Sequence, residues 1–165
     1  MDIEALLAAI RASLEAIATQ RCYDNEHAYQ GQLLVELSNR LAGWIAEDGL
    51  LLEPEHQKTL ANHGLTIRPD LIIHQPFDPH IHANRRQGNI AAFELKRLAS
   101  PKAAREDFAS LAAMIRVLEY PLGVFINIGS ARSHVDLVPP EVHGKIIIYS
   151  TRLLQGRPSV IETRT

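Results

Sequence analysis

Apolar residues in the first fifty positions recur at helical spacing. Asp2 is suited to cap a first helix, and the apolar positions of that helix are Ile3, Leu6, Leu7, Ile10, Leu14 and Ile17. A break over residues 19–26 separates it from a second predicted helix, which Asp24 or Asn25 can cap and which runs to about Ala46. The apolar face of that helix comprises Leu34, Leu37, Leu41, Trp44 and Ile45. The chain therefore begins with two amphipathic helices.

From Leu50 onward the apolar residues form short runs of strand length. Three strands are predicted at 50–53, at 65–74, with a bulge at Pro69, and at 89–97. Ser100 and Pro101 are typical of a helix start, and the helix they begin ends at Tyr120 and Pro121. Two buried strands follow at 123–128 and 145–149, with Val160 and Ile161 suited to a short edge strand. This order predicts an α/β fold in which the helix after residue 100 makes a parallel, right-handed crossover.

The third strand carries charged residues in an arrangement that packing does not explain. Side chains alternate faces along a strand, so Glu94 and Lys96 point the same way while Phe93 and Leu95 point to the other side. Asp70 follows Pro69 at the start of the preceding strand. A carboxylate and an ammonium group beside a second carboxylate indicate chemistry, although a salt bridge on a sheet face is the structural alternative.

Composition narrows the setting. The chain has 165 residues with 46% hydrophobic content, which fits one compact domain. It contains no run of about 18 apolar residues and no basic-plus-apolar leader, so we expect no membrane association and a cytoplasmic location. The single cysteine, Cys22, also favours a reducing compartment. The formal net charge of −2 leaves nucleic-acid binding to a local patch.

Such a patch is present between residues 85 and 105, where six cations accompany one acid, Glu94. The long loop at 75–89 contributes Arg85 and Arg86 to it, and it also contains His80 and His82, which follow His74. A solvated histidine-bearing loop is favoured over a zinc site because no cysteine accompanies the histidines.

The element order, Pro69-Asp70 at one strand and Glu94-Leu95-Lys96 in the next resemble the PD-(D/E)xK nuclease superfamily over roughly residues 27–150. The resemblance implies a restriction-endonuclease-like core with a mixed four- to five-stranded sheet flanked by helices, plus an additional N-terminal helix at 1–20. The whole chain, 1–165, would then be one nuclease-like domain. Members of the family commonly place a glutamate in the helix before the motif strands. Glu36 matches that position, although its spacing alone indicates an ion pair with Arg40.

The resemblance also implies a mechanism. Asp70, Glu94, Lys96 and Glu36 are the predicted catalytic residues. Asp70, Glu94, Glu36 and the Leu95 carbonyl would hold Mg²⁺, for which Mn²⁺ could substitute, because magnesium prefers oxygen ligands. Lys96 would orient the attacking water. Glu53, Asp107 and Asn127 are weaker candidates for the same site.

The expected substrate is nucleic acid, and the resemblance favours DNA. The predicted contacts are Arg85, Arg86, Arg97, Lys102, Gln32 and Tyr29. No helix-turn-helix or zinc-finger pattern is present, which favours structure-selective cleavage, a homodimer or a partner that delivers the substrate. The alternative function is a binding or regulatory module that has a nuclease-like fold but no activity.

Overall fold

The computed structural model describes residues 2–55 and 66–165, and its first layer is helical. Its helices are α1 Ile3–Ala16, α2 Gln20–Asp24, α3 Glu26–Arg40 and α4 Ala42–Asp48. The predicted caps are confirmed, since the side chain of Asp2 accepts from the Glu4 amide and that of Asn25 from the Ala28 amide. Two details differ from prediction. The break at 19–26 contains the short helix α2, and the second long helix is interrupted at Leu41, where ψ is 6°.

The sheet is mixed and contains six strands in the described part of the chain. They are β1 Leu51–Pro54, β2 Leu71–His74, β3 Asn89–Arg97, β4 Leu122–Ile128, β5 Ile146–Leu154 and β6 Arg157–Arg164. Their order in the sheet is their order in the chain. Strands β1, β2 and β3 pair antiparallel, β3, β4 and β5 pair parallel, and β6 returns antiparallel to β5.

The sheet is larger than the four to five strands predicted. The additional strand, β6, spans eight residues instead of a short segment around Val160, because its backbone pairs with β5 along its whole length. A tight turn at Gln155 and Gly156, both at positive φ, makes that hairpin. Residues 66–69 form no strand, so the second predicted strand begins only after Asp70. Its predicted start at Leu65 lies outside the described residues.

Helix α5, Pro101–Leu118, joins β3 to β4 and confirms the predicted parallel crossover. The Ser100 hydroxyl caps it by accepting from the Ala103 amide, and Pro101 occupies the first helical turn as predicted. Two short 3-10 turns, Val135–Leu137 and Pro140–Val142, lie between β4 and β5.

Two hydrophobic cores, one on each face of the sheet, make this an α/β/α arrangement. Helices α1, α2 and α3 pack on one face, against Phe93 and Leu95 of β3. Helix α5 packs on the other, against Ala92 of β3 and Phe125 of β4. Because side chains alternate along β3, Glu94 points toward the α5 layer and becomes buried between sheet and helix. Among the described residues, no helix is long and apolar enough to cross a membrane.

Candidate metal and catalytic site

The register of β2 against β3 brings the two predicted carboxylates together. Leu71 pairs with Phe93 and Ile72 with Ala92, so continuing the register by one residue sets Asp70 opposite Glu94. Side chains of directly opposed residues lie on the same face, with Cβ atoms about 4.5–5.5 Å apart. The Asp70 carboxyl is accordingly close enough to raise the pKa of Glu94.

Asp70 is held in place on every side. Its amide donates to the Phe93 carbonyl at 3.1 Å, and its Oδ2 accepts from the Leu95 amide at 2.6 Å. Its own carbonyl accepts from the Glu55 amide at 3.0 Å and from Gln30 Nε2 on α3. These bonds fix the carboxylate of Asp70 just before the start of β2. Gln30, which the sequence analysis did not select, is thus part of the support for this site.

Glu94 is the most perturbed acid of the site. Glu94 is only 7% exposed. This burial, together with the charges of Asp70 and Asp107, raises the pKa of Glu94 to about 9. Burial also raises the pKa of Asp70, against the lowering effect of the Leu95 amide and Lys96. Two carboxyl groups this close cannot both ionise at low cost, so in the metal-free protein Glu94 retains its proton at neutral pH.

Lys96 meets a glutamate that the sequence analysis did not select. Its Nζ lies 3.4 Å from Glu26 Oε1, and Glu26 Oε2 accepts from the Arg97 amide at 2.8 Å. Partial burial disfavours the charged amine, but Glu26, Asp107 and Asp70 outweigh it and raise the pKa of Lys96. The lysine is therefore protonated and flanked by carboxylates.

Asp107 approaches the same site from α5. Burial raises its pKa to about 6, and the charges of Asp70 and Glu26 act in the same direction while Lys96 opposes them. Its Oδ2 is buried and has no hydrogen-bond partner among the described residues. The weaker candidate Asp107 thus lies in the electrostatic neighbourhood of Asp70, Glu94 and Lys96.

Glu36 is not part of this group. It lies ten residues beyond Glu26 on α3, about 15 Å along the helix axis. Its carboxylate is bonded to Arg40 and to Gln32 Nε2, the latter at 3.2 Å, which is the ion-pair arrangement that its spacing indicated. Glu26, and not Glu36, is the glutamate of α3 that lies against Lys96. The only sequence signal for Glu26 was its place in the first turn after the Asn25 cap.

Two predicted nucleic-acid contacts on α3 have other roles. Tyr29 is 0% exposed and packs edge-to-face on Tyr23, with ring centroids 5.3 Å apart, so it belongs to the core and cannot reach a substrate. Gln32 is bonded to Glu36, away from Asp70. Gln30, which lies between them on α3, is the residue that contacts Asp70.

Arg85 and Arg86 lie at the wrong end of the hairpin for the predicted role. The 75–88 loop joins the end of β2 to the start of β3, whereas Glu94 and Lys96 are near the end of β3, roughly 20 Å away along the strand. Arg86 pairs with Glu119 at 2.8 Å, and the Arg85 guanidinium lies 4.8 Å from the centre of the Phe77 ring.

The remaining predicted residues divide between the site and its surroundings. Arg97 follows Lys96 directly, and its Nε donates to the Tyr23 carbonyl at 2.9 Å. Lys102, in the first turn of α5, is exposed and 3.9 Å from Glu106. Asn127 is fully buried and structural, since it accepts from the Ala99 amide and donates to the Arg132 carbonyl.

His74 and His82 contact residues other than Asp70 and Glu94. His74 Nε2 is 2.8 Å from Glu53 Oε2, which gives Glu53 a partner away from Asp70. His82 Nδ1 accepts from the Asp78 amide at 3.0 Å. Within residues 2–55 and 66–165, no three His, Cys, Asp or Glu side chains form a group that could hold a metal ion. A metal between Asp70 and Glu94 would therefore need main-chain oxygen as well.

Leu95 is placed to supply that oxygen. The N–H and C=O of one strand residue face the same neighbouring strand, and the Leu95 N–H faces Asp70. Its carbonyl thus faces the same edge, beyond the point where β2 pairing ends at Leu71. No family model, curated protein or solved structure matches the chain, so the chemistry of the site rests on its own residues.

Proposed function

We propose that the protein is a Mg²⁺-dependent nuclease of the PD-(D/E)xK type that hydrolyses phosphodiester bonds, most reasonably in DNA. The observation that carries the proposal is the pairing of Asp70 with the buried Glu94 directly beside Lys96. Three antiparallel strands followed by a helix and a parallel strand also agree with the family's element order. A purely structural ion pair would not require a second carboxyl group against Glu94.

The donor set fits a hard divalent cation. Asp70, Glu94 and the Leu95 carbonyl offer only oxygen, which Mg²⁺ and Mn²⁺ accept. Three acids, Asp70, Glu94 and Asp107, all have raised pKa values, so the site carries more potential negative charge than Lys96 offsets. When bound there, Mg²⁺ would neutralise charge on the scissile phosphate and lower the pKa of water.

Lys96 supplies a proton-bearing group on the same strand face as Glu94. Held in its charged form by Glu26, it would orient the attacking water and stabilise negative charge that develops on the phosphate. Glu26 would act through the lysine, as a positioning residue. The fixed backbone bonds of Asp70 keep the carboxylate side of the site in place during this step.

The test is cleavage of supercoiled, linear, branched and single-stranded DNA, and of RNA, with Mg²⁺ or Mn²⁺. We expect the wild type to cut at least one substrate. Asp70→Ala and Lys96→Ala should each reduce its rate at least about 10³-fold, since the first removes a metal ligand and the second removes the group that stabilises developing negative charge. The matched control is Glu36→Ala, which removes an acid of α3 that pairs with Arg40 and lies outside the site.

Cleavage that survives both substitutions would exclude this site as the source of activity. If no substrate is cut with either metal while nucleic acid still binds, the protein is better described as a binding or regulatory module. Gel-filtration mass with and without DNA would show whether a homodimer forms or a delivery partner must be sought.

A further inference from the structure

The carboxyl ends of the parallel strands carry an open pocket that none of the catalytic residues occupies. It has a volume of about 290 Å³ and includes residues from α2 and from the ends of β3 and β5. Arg97 and Leu98 form the β3 side, and Gly129 follows the end of β4. Such a volume accommodates one small polar ligand or a single nucleotide unit.

Charge distinguishes this pocket from ordinary surface. Arg97 and Arg152 line it, against a single acid, Asp24. The Asp24 carboxylate is already engaged, since its Oδ1 accepts from Gln20 Nε2 at 3.0 Å. The Arg97 Nε donates to the Tyr23 carbonyl, which anchors the side chain while its two terminal nitrogens form no ion pair with any described residue. The two terminal nitrogens of Arg97, held in this way, match the oxygens of a phosphate.

Apolar side chains in the same pocket extend the match beyond phosphate. Leu98 is 54% exposed and Leu154 is 47% exposed, and both line the pocket. Leu98 also has φ +50°, a left-handed backbone conformation that is uncommon for a leucine and costs free energy. The chain thus holds an apolar side chain in solvent beside two arginines. A nucleotide offers both the charged and the apolar surface needed to cover them.

The pocket is coupled physically to the catalytic group. Arg97 follows Lys96 in β3, and Glu26 binds both residues, one through the ammonium and the other through the backbone amide. Consecutive side chains of a strand point to opposite faces, so Lys96 and Arg97 lie on either side of the same strand end. A strand of nucleic acid crossing this end would therefore meet the site first and the pocket next.

From this arrangement we infer that the pocket binds a nucleotide adjacent to the scissile phosphate, with Arg97 and Arg152 each on one of the two phosphates that flank it and Leu98 and Leu154 against its base or sugar. The inference rests on the nucleic-acid substrate proposed above. Arg152 is the new element, since nothing in its sequence context marked it.

The experiment measures binding separately from cleavage. Fluorescence anisotropy with a labelled single-stranded DNA of about 12 nucleotides, in EDTA, is recorded from 50 to 200 mM salt for the wild type and for Arg97→Gln/Arg152→Gln. Each lost phosphate contact on single-stranded DNA lowers the slope of log K against log salt by about 0.7, so the double variant should lose about 1.4. Arg97→Lys/Arg152→Lys should retain the slope, because the charges remain.

The matched control is Arg116→Gln, an exposed arginine in the last turn of α5 that pairs with Glu141. It should leave the slope unchanged. Thermal unfolding of each variant guards against misfolding, and Arg152→Gln alone, which leaves the Arg97 to Tyr23 bond intact, should still lose about 0.7 of slope. Single abasic positions along the oligonucleotide test the leucines, with one position expected to weaken wild-type binding more than the others.

The outcomes separate the two proposals. A wild type that cuts DNA, with an unchanged slope in the double variant, overturns the pocket assignment and leaves the nuclease standing. If the double variant shows the reduced salt slope but the wild type cuts no substrate, the pocket assignment stands and the nuclease proposal is overturned. A wild type that binds no nucleic acid overturns both.

Discussion

The two ends of the β2 and β3 pair both carry charged residues, but their surroundings differ. At the start of β2 the carboxyl groups of Asp70 and Glu94 are pressed together and desolvated, and their pKa values are raised. At the far end, Arg85 and Arg86 are exposed on the 75–88 loop, and Arg86 pairs with Glu119. Surface pairs of this kind contribute about 0–1 kcal/mol, whereas a buried acid with a displaced pKa carries a larger cost.

This contrast shows that the density of charge along the sequence is a poor guide to function. The cluster of cations between residues 85 and 105 is split by the fold, because β3 separates its first two members from the rest by most of its length. The candidate site is distinguished by the burial of its carboxyl groups and by their meeting at one end of the strands. The number of charged residues does not distinguish it.

The largest expected effect of a substitution at either end of the hairpin is that of Glu94 on the free energy of unfolding. The pKa of Glu94 is raised to about 9 in the folded chain from an ordinary 4.5, so its favourable contribution is complete below about pH 4.5 and is lost as pH rises toward 9. Glu94→Gln should therefore stabilise the metal-free protein at pH 8, on the order of 2–4 kcal/mol, and change little at pH 4.5. Urea unfolding at the two pH values measures this.

Glu119→Gln, at the opposite end of the hairpin, is the control for that measurement, with an expected change below about 0.5 kcal/mol at either pH. Equal effects of the two substitutions at pH 8 would remove the distinction between the two ends.

A smaller effect separates the two glutamates of α3. Because Glu26 contacts Lys96 and Glu36 contacts Arg40, Glu26→Gln should lower kcat about tenfold with little change in KM, and Glu36→Gln should leave both within about twofold. Steady-state kinetics on the substrate that the wild type cuts supplies both constants. A larger loss for Glu36→Gln would restore that residue to the site.

The smallest effect concerns the loop arginines. Arg85→Ala and Arg86→Ala should each change nucleic-acid affinity less than about twofold and stability by less than about 0.5 kcal/mol, because both side chains are exposed at the end of the hairpin away from Asp70. Anisotropy and thermal unfolding provide the two values. A marked loss of affinity would place the substrate path over the loop.

Much of the fold could be predicted from local pattern. The caps at Asp2, Asn25 and Ser100 and the crossover helix α5 follow from residue types with strong local preferences. Strand β6 was underestimated because its residues are only partly buried, so their apolar alternation is weak, and pairing with β5 supplies what the pattern lacks.

The site residues also divide into those that local pattern could predict and those that it could not. Glu94 and Lys96 share a strand face, a relation that needs only the two-residue period, and Asp70 belongs to the neighbouring strand. Tyr29, Glu36, Arg85 and Arg86 were selected by charge, polarity and family position, and these properties do not reveal which end of an element meets the site. Glu26 lay in an ordinary first helical turn, so nothing local marked it.

The sequence by itself determined the alternation of helices and strands and the pairing of acid and lysine on β3, because these depend on periods of 3.6 and 2 residues within one segment. Tertiary structure decided the β2 and β3 register that opposes Asp70 to Glu94, the meeting of Glu26 with Lys96 and the pocket of Arg97 and Arg152. These contacts join residues that are far apart in the chain, and Lys96 and Glu26 alone are 70 positions apart. Only the packing of whole layers fixes such distances, since no local preference extends so far along the chain.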